Sequence, residues 1–587
     1  MNDWLACFGN DGSFSVEESG ICRFEHDHLN VNNEAEALVV DGLILNLHEL
    51  FERFDVDDFE TLVSKMRVAD PWSFFKDFRG PFTGLFYDKK AGKAVVFTNQ
   101  TGDSAIFYYL TEDRCWFSSN YTLLVDTLKT KGVALSLDEV AAHWMLTFGY
   151  LINDNTFCQE IKRLCAGQAL VLEKGAWTVR RYHRFTSDNL SITEEAAIEK
   201  IDVLFRQAVK RCFDKDLEYG YREHLVDMSA GMDSRMVNCV AKAMGYGPIT
   251  NLSYSQTGSE EERLSKQAAG VFGNEMLFDP LDDHEFIFDL DELLQGNFGT
   301  YLYTGITGGA RLLAKVDWKR FGAEQTGQLG DIAIGTFVKT DSLAVDPEAV
   351  RLSHRLPLRH DPNPEGFENQ DLYSLYTRGF QGAMSSWFIR KHHTFALSPF
   401  TDVDFMGFCY ALPVSMRKGH NLYWKWVQRY YPEALTVPTS RKKLPVTTAQ
   451  KVMDLASRAV HKGMKVGRIL LFKAGLAPSR VRPESSMNPY EYWYDTDPRM
   501  RAFFDTYYHE HLTLLDGYPN TQRDVETLFN SDNVLEKIMA LTVLGIRHCE
   551  EERRLPHLTS SGDRGFAGRT GTIGRWRTCG CAWAWCS

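Results

Sequence analysis

The sequence predicts two folded regions in series: an α+β region built on antiparallel sheets, followed by an α/β region built on a parallel sheet. The chain has 587 residues, which is too many for one hydrophobic core. Residues 1–185 consist mostly of short aromatic and β-branched runs separated by turns, whereas strands alternate with helices from residue 186 onward. We therefore predict domains over 1–185 and 186–556, and a tail over 557–587.

In the first region, short apolar runs are separated by Gly, Asp and Asn, which is typical of an antiparallel sheet. The run Gly80–Asp88 is followed by a lysine-rich turn and by a second run, Ala94–Phe97. A helix is expected over Asp57–Met66. Two strands, Gly167–Leu172 and Ala176–Tyr182, are expected to form a closing hairpin.

In the second region, apolar residues recur at helical spacing over Ile192–Phe213. A short strand, Leu225–Met228, is followed by a glycine-containing loop and a helix over Ser234–Met244. A further strand, Ile249–Tyr254, and a helix, Arg263–Val271, continue the alternation. Because ligands of parallel α/β sheets bind beyond the carboxyl ends of the strands, the loop after the first strand is the candidate binding site.

That loop has the sequence Ser-Ala-Gly-Met-Asp-Ser over residues 229–234. Its small residues allow backbone N–H groups to approach an anion, and the following helix adds a favourable dipole. Asp233 places a carboxylate where a phosphate would be repelled, which indicates a bound Mg²⁺. The chain contains no Gly-x-x-x-x-Gly-Lys-Ser/Thr motif, so the loop is not of the Walker type. A purely structural turn is the alternative for an isolated match.

Composition excludes several classes. The net charge of −13 argues against nucleic acid as the main partner, because phosphate binding needs clustered Lys and Arg. No stretch approaches the ~18 apolar residues of a membrane helix. The first residues, Met1 to Trp4, include an acid where a signal peptide would be basic. We therefore expect a cytoplasmic protein, and a disordered tail over 557–587 because that segment shows no periodicity.

The loop and four later segments together resemble the asparagine synthetase family, whose nucleotide loop is Ser-Gly-Gly-x-Asp-Ser. Ala230 replaces the first Gly of that pattern. The other matching segments, in chain order, are Glu260-Glu261, Thr326–Asp331, Ser398–Asp402 and Arg441-Lys442-Lys443. The resemblance implies an ATP-pyrophosphatase-type synthetase domain that activates a carboxylate as an acyl-adenylate, releases pyrophosphate, and transfers the acyl group to ammonia or an amine.

The resemblance also implies ATP and Mg²⁺ as cofactors and assigns residue roles. Asp233 and Asp331 would hold Mg²⁺, and Lys443 would stabilise the leaving pyrophosphate. The structural alternatives are a helix cap for Asp233, a turn for Asp331 and a solvated Lys443. The residues expected to bind ATP are Met228, Ser229, Gly231, Asp233, Ser234, Ser253 and Gly327.

The first region resembles the glutaminase domain of the same family, an N-terminal-nucleophile fold, through segments such as Val40–Asn46. Active members carry Cys directly after the initiator Met, whereas this chain has Asn2, which cannot act as a nucleophile. Asn99 stands where the family binds glutamine with Asp, and Asn46 matches the oxyanion-hole Asn. We therefore expect no glutaminase activity, and we expect Cys7 to be a core residue.

Two positions leave the second half-reaction open. Gln328 and Phe395 stand where relatives carry groups of the amine-transfer step, and neither side chain can remove a proton. The nucleophile is therefore not ammonia, or the base lies elsewhere. The segment Arg390–His393 is expected to be a surface helix end.

Several functions remain compatible with the sequence. Cyclising relatives such as β-lactam synthetase and lasso-peptide cyclase, and polysaccharide-amidating relatives, keep the adenylation loop without glutaminase. A non-catalytic nucleotide-binding relative is another alternative. A tRNA-modifying enzyme is disfavoured by the acidic charge. The expected partners are a small-molecule or peptide carboxylate and an amine or ammonia donor, without nucleic acid or membrane, and a homodimer is left open.

Overall fold

The structure is a computed structural model. It describes residues 3–20, 22–305, 308–335, 344–367, 369–439 and 467–552. The predicted tail 557–587, Asn2 and the Arg441-Lys442-Lys443 segment lie outside these described residues. Within the described ranges, every helix is too short or too polar to cross a lipid bilayer.

The first region contains two antiparallel sheets. The first sheet has five strands, in the spatial order β2 (Phe14–Ser19), β1 (Asp3–Gly9), β8 (Arg114–Ser118), β7 (Phe107–Leu110) and β9 (Lys162–Arg163). The second has six, in the order β11 (Ala176–Arg181), β10 (Gln168–Glu173), β6 (Lys93–Thr98), β5 (Phe82–Asp88), β4 (Glu36–Gly42) and β3 (Leu29–Asn32). The predicted closing hairpin is β10 and β11.

The two sheets pack face to face, and helices cover their outer faces. Trp4 of β1, Val39 of β4 and Phe117 of β8 lie in the core between the sheets. Leu38 and Val40 flank Val39 and lie in the core on the other face, as the two-residue period of a strand requires. The covering helices are α1 (Leu47–Phe54), α2 (Phe59–Ala69) and α3 (Tyr121–Thr130). This arrangement confirms the predicted antiparallel sheets sandwiched with helices.

The second region contains a five-stranded parallel sheet. Its strands, in spatial order, are β14 (Glu275–Pro280), β13 (Ile249–Ser255), β12 (Glu223–Asp227), β15 (Phe321–Gln325) and β16 (Ala396–Leu397). The chain moves outward from β12 in one direction through β13 and β14, and in the other through β15 and β16. The switch point beside β12 leaves a crevice at the carboxyl ends of β12 and β15, where ligands of such sheets bind.

Three helices pack around this sheet and begin where sequence signals place them. They are α5 (Glu194–Glu218), α6 (Met232–Ala243) and α7 (Glu260–Phe272). Ser259 accepts a hydrogen bond from the Glu262 N–H, and this cap starts α7 three residues earlier than predicted. The α6 helix begins at Met232 rather than Ser234, which puts Asp233 in its first turn, near the positive end of the helix dipole.

The remaining segments are mostly helical. They are α4 (Glu139–Phe148), α8 (Leu290–Gly296), α9 (Gly308–Leu313), α10 (Gly330–Ala333), α11 (Gln370–Ser374), α12 (Trp387–Arg390), α13 (Val403–Ala411), α14 (Val414–Arg417), α15 (Asn421–Tyr430), α16 (Tyr490–Thr496), α17 (Pro498–His511), α18 (Pro519–Phe529) and α19 (Val534–Glu552).

The helices α18 and α19 share a core with α4 of the first region. A second shared core joins Phe24 to Phe205. The predicted boundary at residue 185 remains a prediction, because the two regions bury side chains against each other.

Candidate functional site

A cavity of about 290 Å³ lies at the carboxyl ends of β12 and β15. It is lined by Asp227, Ser229, Gly231, Asp233, Ser234, Tyr254, Gly305, Thr326, Gly327, Gln328, Ser386 and Arg390. Five of these residues (Ser229, Gly231, Asp233, Ser234 and Gly327) are ones that the sequence predicts to bind ATP. The cavity therefore joins the loop after β12 to the loop after β15.

Hydroxyl groups and one carboxylate hold the loop after β12. The Ser229 N–H donates to Ser234 Oγ at 3.0 Å, and the Gly231 N–H donates to Ser229 Oγ at 3.1 Å. The Ala230 N–H donates to Glu261 Oε1 at 2.8 Å. Glu261 thus fixes the loop from the start of α7. Gly231 caps α6 without a side-chain hydrogen bond, an arrangement suited to an anion at the helix N-terminus.

Two glycines let the loop after β15 touch the loop after β12. A Cβ atom on Gly327 would lie 2.2 Å from the backbone nitrogen of Ser234. A Cβ on Gly330 would lie 2.7 Å from Asp233 Cβ. Real Cβ atoms essentially never come within 3.0 Å of another heavy atom, so a side chain at either position would force a neighbouring group to shift.

Given the sequence prediction that this cavity binds ATP·Mg²⁺, we expect Gly327→Val to weaken that binding while the first region stays folded. The added Cβ would push the loop after β15 away from Ser234, and closely packed backbone cannot absorb such a shift without cost. The measurement is the affinity for ATP·Mg²⁺ by calorimetry, with at least a tenfold loss expected (~1.4 kcal/mol). Gly517→Val is the control, because a Cβ at Gly517 meets nothing within 4 Å and Gly517 does not have a positive φ. Unchanged affinity in Gly327→Val would contradict the assigned contact between the loops.

The charges of Asp233 and Asp331 both affect the same side chain, that of Tyr423. The Tyr423 hydroxyl of α15 donates to Asp233 Oδ1 at 2.8 Å. The pKa of Tyr423 is raised well above its ordinary value, first by burial, then by the charge of Asp233 and also by that of Asp331. Tyr423 therefore stays a neutral donor that orients Asp233. No sequence signal marks Tyr423, which lies 190 residues from its partner.

Three other predicted site residues have different surroundings. Met228 is buried, and its N–H donates to the Leu252 carbonyl. Ser253 is buried on β13, where its hydroxyl donates to Ser265 Oγ at 3.4 Å. Lys443 lies outside the described residues. The roles of these three in ATP binding stay predictions.

A buried charge cluster forms one wall of the cavity. The Arg390 Nε donates to Glu324 Oε2 at 2.7 Å, and an Arg390 Nη atom lies 3.6 Å from Asp227 Oδ2. Burial, and next the charge of Glu324, raise the pKa of Asp227 well above its ordinary value. The Arg390 side chain is only 6% exposed, so the prediction of a surface helix end is wrong for this residue: the guanidinium neutralises buried acids instead of meeting solvent.

The two residues that replace relatives' reactive groups have structural contacts. Gln328 Nε2 donates to the Ala383 carbonyl at 2.7 Å, and Trp387 Nε1 donates to Gln328 Oε1. Phe395 is buried, and its carbonyl accepts a hydrogen bond from the Glu324 N–H. Both side chains are therefore part of the packing beside the cavity and supply no proton acceptor of suitable basicity.

The two described asparagines at predicted glutaminase positions, Asn46 and Asn99, are hydrogen-bonded to other residues of the first region. Asn46 Nδ2 donates to the Asp77 carbonyl at 2.9 Å, and Asn46 Oδ1 accepts the Arg79 N–H at 2.9 Å. Asn99 is buried and donates to the Gly80 carbonyl at 2.9 Å and to Asp103. Asn2 lies outside the described residues. The amides of Asn46 and Asn99 therefore both have partners within the first region, and their glutaminase roles stay predictions.

Thiols of the first region are poor nucleophiles. Cys7 is buried on β1, and burial raises its pKa. Cys22 lies near His28 and Asp41, and burial, followed by the charge of Asp41, raises the Cys22 pKa to about 11. Hydrogen bonds to Asp41 and Glu18 raise the pKa of His28 to about 10, so this imidazole is protonated at neutral pH and cannot act as a base.

Comparison with known proteins identifies the class of the first region. A family model described as a glutamine amidotransferase domain matches residues 26–183. Together with the sandwich of antiparallel sheets, this match shows that the first region is similar to an N-terminal-nucleophile-type glutamine amidotransferase domain. No curated protein matches the chain.

Two solved structures are similar to part of the chain. One is glutamine phosphoribosylpyrophosphate (PRPP) amidotransferase from B. subtilis, complexed with ADP and GMP, with 9% identity over 47% of this chain and 84% of that chain, at a TM-score of 0.22. The other is described as the allosteric regulatory enzyme of purine biosynthesis, with 8% identity over 47% of this chain and 58% of that chain, at a TM-score of 0.21.

We expect the protein to release no glutamate from glutamine, although it carries this domain. Asn2 has no nucleophilic group, and the thiols of Cys7 and Cys22 are mostly protonated at neutral pH. The measurement is glutamate release over several hours with ATP, Mg²⁺ and glutamine. Release that disappears in Cys7→Ser or Cys22→Ser would contradict this expectation and identify the thiol responsible.

Proposed function

We propose that the chain is an ATP-dependent ligase that forms amide bonds and resembles asparagine synthetase in its second region. The observation that carries the proposal is the contact between two loops, one bearing Asp233 and the other Asp331, at the switch point of a parallel sheet. The glutamine amidotransferase domain over residues 26–183 supports the same class, because such domains accompany amide-forming enzymes.

The proposed first step is adenylation of a carboxylate. A carboxylate oxygen of the substrate attacks the α-phosphorus of ATP, a new O–P bond forms, and the bond to pyrophosphate breaks. Asp233 and Asp331 are the residues that would hold Mg²⁺, because carboxylate oxygens are the ligands this ion prefers. Bound Mg²⁺ would offset the phosphate charge. The N-terminus of α6 and the amides of the loop after β12 would stabilise the leaving pyrophosphate.

The proposed second step transfers the acyl group to an amine. The nitrogen attacks the acyl carbonyl, a C–N bond forms, and the C–O bond to AMP breaks. Since no glutamine-derived ammonia is expected, the amine comes from a separate molecule or from the acyl substrate itself. An intramolecular amine would make the protein a cyclising ligase.

The experiment is an ATP–pyrophosphate exchange assay on the full chain with a panel of carboxylic acids, followed by mass spectrometry of acyl-AMP and of amide products. The expected result is exchange that depends on one class of acid, with AMP and pyrophosphate as products. ATP binding without exchange across the panel would instead favour a non-catalytic nucleotide-binding protein. Amide formed without added amine would identify a cyclising ligase.

A further inference from the structure

We propose that Asp227, supported by Glu324, forms a subsite for the ammonium group of the attacking amine in the cavity at β12. The inference rests on the proposed ligase function and deepens it, because it says that the nucleophile enters the site as a positively charged ammonium group. It also names a proton acceptor for a site in which Gln328 and Phe395 cannot serve.

The position of Asp227 is the first argument. It is the last residue of β12 and precedes the nucleotide loop, and its side chain is 25% exposed in a cavity that Asp233 also lines. Glu324 lies behind it on the neighbouring strand β15 and is completely buried. Asp227 therefore faces the same cavity as the loop after β12, which is proposed to bind the phosphates.

The charges in this wall are unequal. In the described part of the chain, one guanidinium, that of Arg390, faces the carboxylates of Asp227 and Glu324. Arg390 is engaged closely with Glu324, at 2.7 Å, and more distantly with Asp227, at 3.6 Å. One negative charge is thus left over when both acids are ionised, and buried charge without a partner is costly.

Hydrogen bonding is also incomplete. Asp227 Oδ1 and Glu324 Oε1 are both buried, and no donor group of the described residues reaches either oxygen. The two carboxyl groups lie within hydrogen-bond reach of each other, so one shared proton satisfies them when the site holds no cation. A primary ammonium has three N–H donors and one positive charge, so beside Asp227, which lines the cavity, it would supply the positive charge that this pair of acids lacks. A substrate carboxylate would be repelled here. The pair instead takes up a proton when no cation is bound, as the raised pKa of Asp227 indicates.

The same carboxylate can accept the proton that the amine must lose. The ammonium R–NH₃⁺ transfers one proton to an Asp227 oxygen and becomes R–NH₂. Its nitrogen lone pair then forms the C–N bond at the acyl carbonyl, while the C–O bond to AMP breaks and the electron pair leaves with the AMP phosphate. The second nitrogen proton passes to solvent water. An ionised acid with a raised pKa is the stronger base for this transfer.

Binding of a simple cation tests the subsite without any turnover. The probe is methylammonium chloride, compared with equal concentrations of tetramethylammonium chloride, which has no N–H donor. We expect methylammonium to raise the Tm of the full chain, and tetramethylammonium not to do so. In Asp227→Asn the difference between the two salts should vanish. An equal difference in the variant would overturn the proposal even if the protein has no ligase activity.

Catalysis provides a second test that separates this proposal from the proposed function. Hydroxylamine is uncharged at neutral pH and can intercept an acyl-adenylate without an ammonium subsite. We expect Asp227→Asn to lower amide formation from methylammonium at least tenfold more than hydroxamate formation from hydroxylamine. Equal losses with both nucleophiles would overturn the subsite. Absence of pyrophosphate exchange in the wild type would overturn the ligase function instead.

The matched control is Asp279→Asn on β14. Asp279 pairs with Lys315 at 2.7 Å and lies outside the cavity lining. It should retain the difference between the two salts and the ratio between the two nucleophiles. Loss of either selectivity in Asp279→Asn would show that the effect of Asp227→Asn does not depend on its position, and would also overturn the proposal.

Discussion

Asp233→Asn is expected to lower ATP–pyrophosphate exchange by a factor on the order of 10²–10³. Under the proposed function, Asp233 holds a cation against the phosphates at the moment when charge accumulates on the leaving pyrophosphate. The substitution keeps the size of the side chain, and the amide oxygen can still accept the Tyr423 hydroxyl. The loss should therefore appear in the rate while the fold is preserved.

The measurement pairs exchange kinetics with thermal unfolding of the same preparation. The control is Asp279→Asn. Asp279 pairs with Lys315 and lies outside the cavity lining, so this variant should catalyse exchange at the wild-type rate. Asp331→Asn should lower the exchange rate by a similar factor. The charges of Asp233 and Asp331 both raise the pKa of Tyr423, so the two carboxylates lie near the same point. Exchange by Asp233→Asn within a few-fold of the wild type would remove the central support for the ligase proposal.

Local sequence signals predict the strand–loop–helix unit at β12 well, because most of its determinants lie within a few residues of one another. The strand β12, the loop with Gly231 and the helix α6 follow in direct succession. Period-two and period-3.6 patterns likewise predict the hairpin β10–β11 and the helix α5. Helix starts were less accurate, since one cap at Ser259 moves the start of α7 by a full turn.

Long-range electrostatics explains what the sequence does not predict. Glu324 and Arg390 are separated by 66 residues. A Glu in a short strand is normally expected to be exposed, and only its buried partner explains why Glu324 is not. The basic segment beginning at Arg390 resembles a solvated helix end for the same reason. Asp227 ends a hydrophobic strand, which is the only local signal that it faces a ligand site at the sheet's carboxyl edge.

Roles that depend on chemistry beyond the described residues remain predictions. Lys443 lies outside those residues, so its predicted role in phosphate binding rests on the sequence alone. Asn46 illustrates the opposite case: its identity matches an oxyanion-hole residue, whereas its two hydrogen bonds go to the backbone of Asp77 and Arg79. Residue identity at a motif position therefore predicts location more reliably than it predicts use.

Arg390→Met is expected to destabilise the protein by about 3–5 kcal/mol at neutral pH. The substitution removes the cation that faces Glu324 and Asp227, and it leaves two neighbouring buried carboxyl groups without compensation. Met fills much of the same volume, so the loss comes mainly from charge and not from a cavity. Urea unfolding of the wild type and the variant, monitored by tryptophan fluorescence, measures the difference.

The loss of stability in Arg390→Met should depend on pH. Burial already raises the pKa of Asp227, and the charge of Arg390 lowers it. Removing Arg390 therefore raises that pKa further above the unfolded value of about 4, so the folded variant binds more protons than the unfolded chain. Its stability then decreases as pH rises through that range and is recovered as pH falls. The deficit relative to the wild type should therefore be largest at neutral and alkaline pH and should shrink toward pH 4.

A surface pair on the same two strands provides the control for Arg390→Met. Arg320 pairs with Glu223 at the opposite end of β12 and β15, and its side chain is 47% exposed. Because exposed ion pairs contribute little to stability, Arg320→Met should cost far less and should show no recovery at low pH. If the two variants lose the same stability, or if the deficit of Arg390→Met does not change with pH, then Arg390 does not neutralise buried acids in this wall. In that case the leftover negative charge assigned to Asp227 would have no basis, and the cavity would lack a reason to prefer an ammonium group.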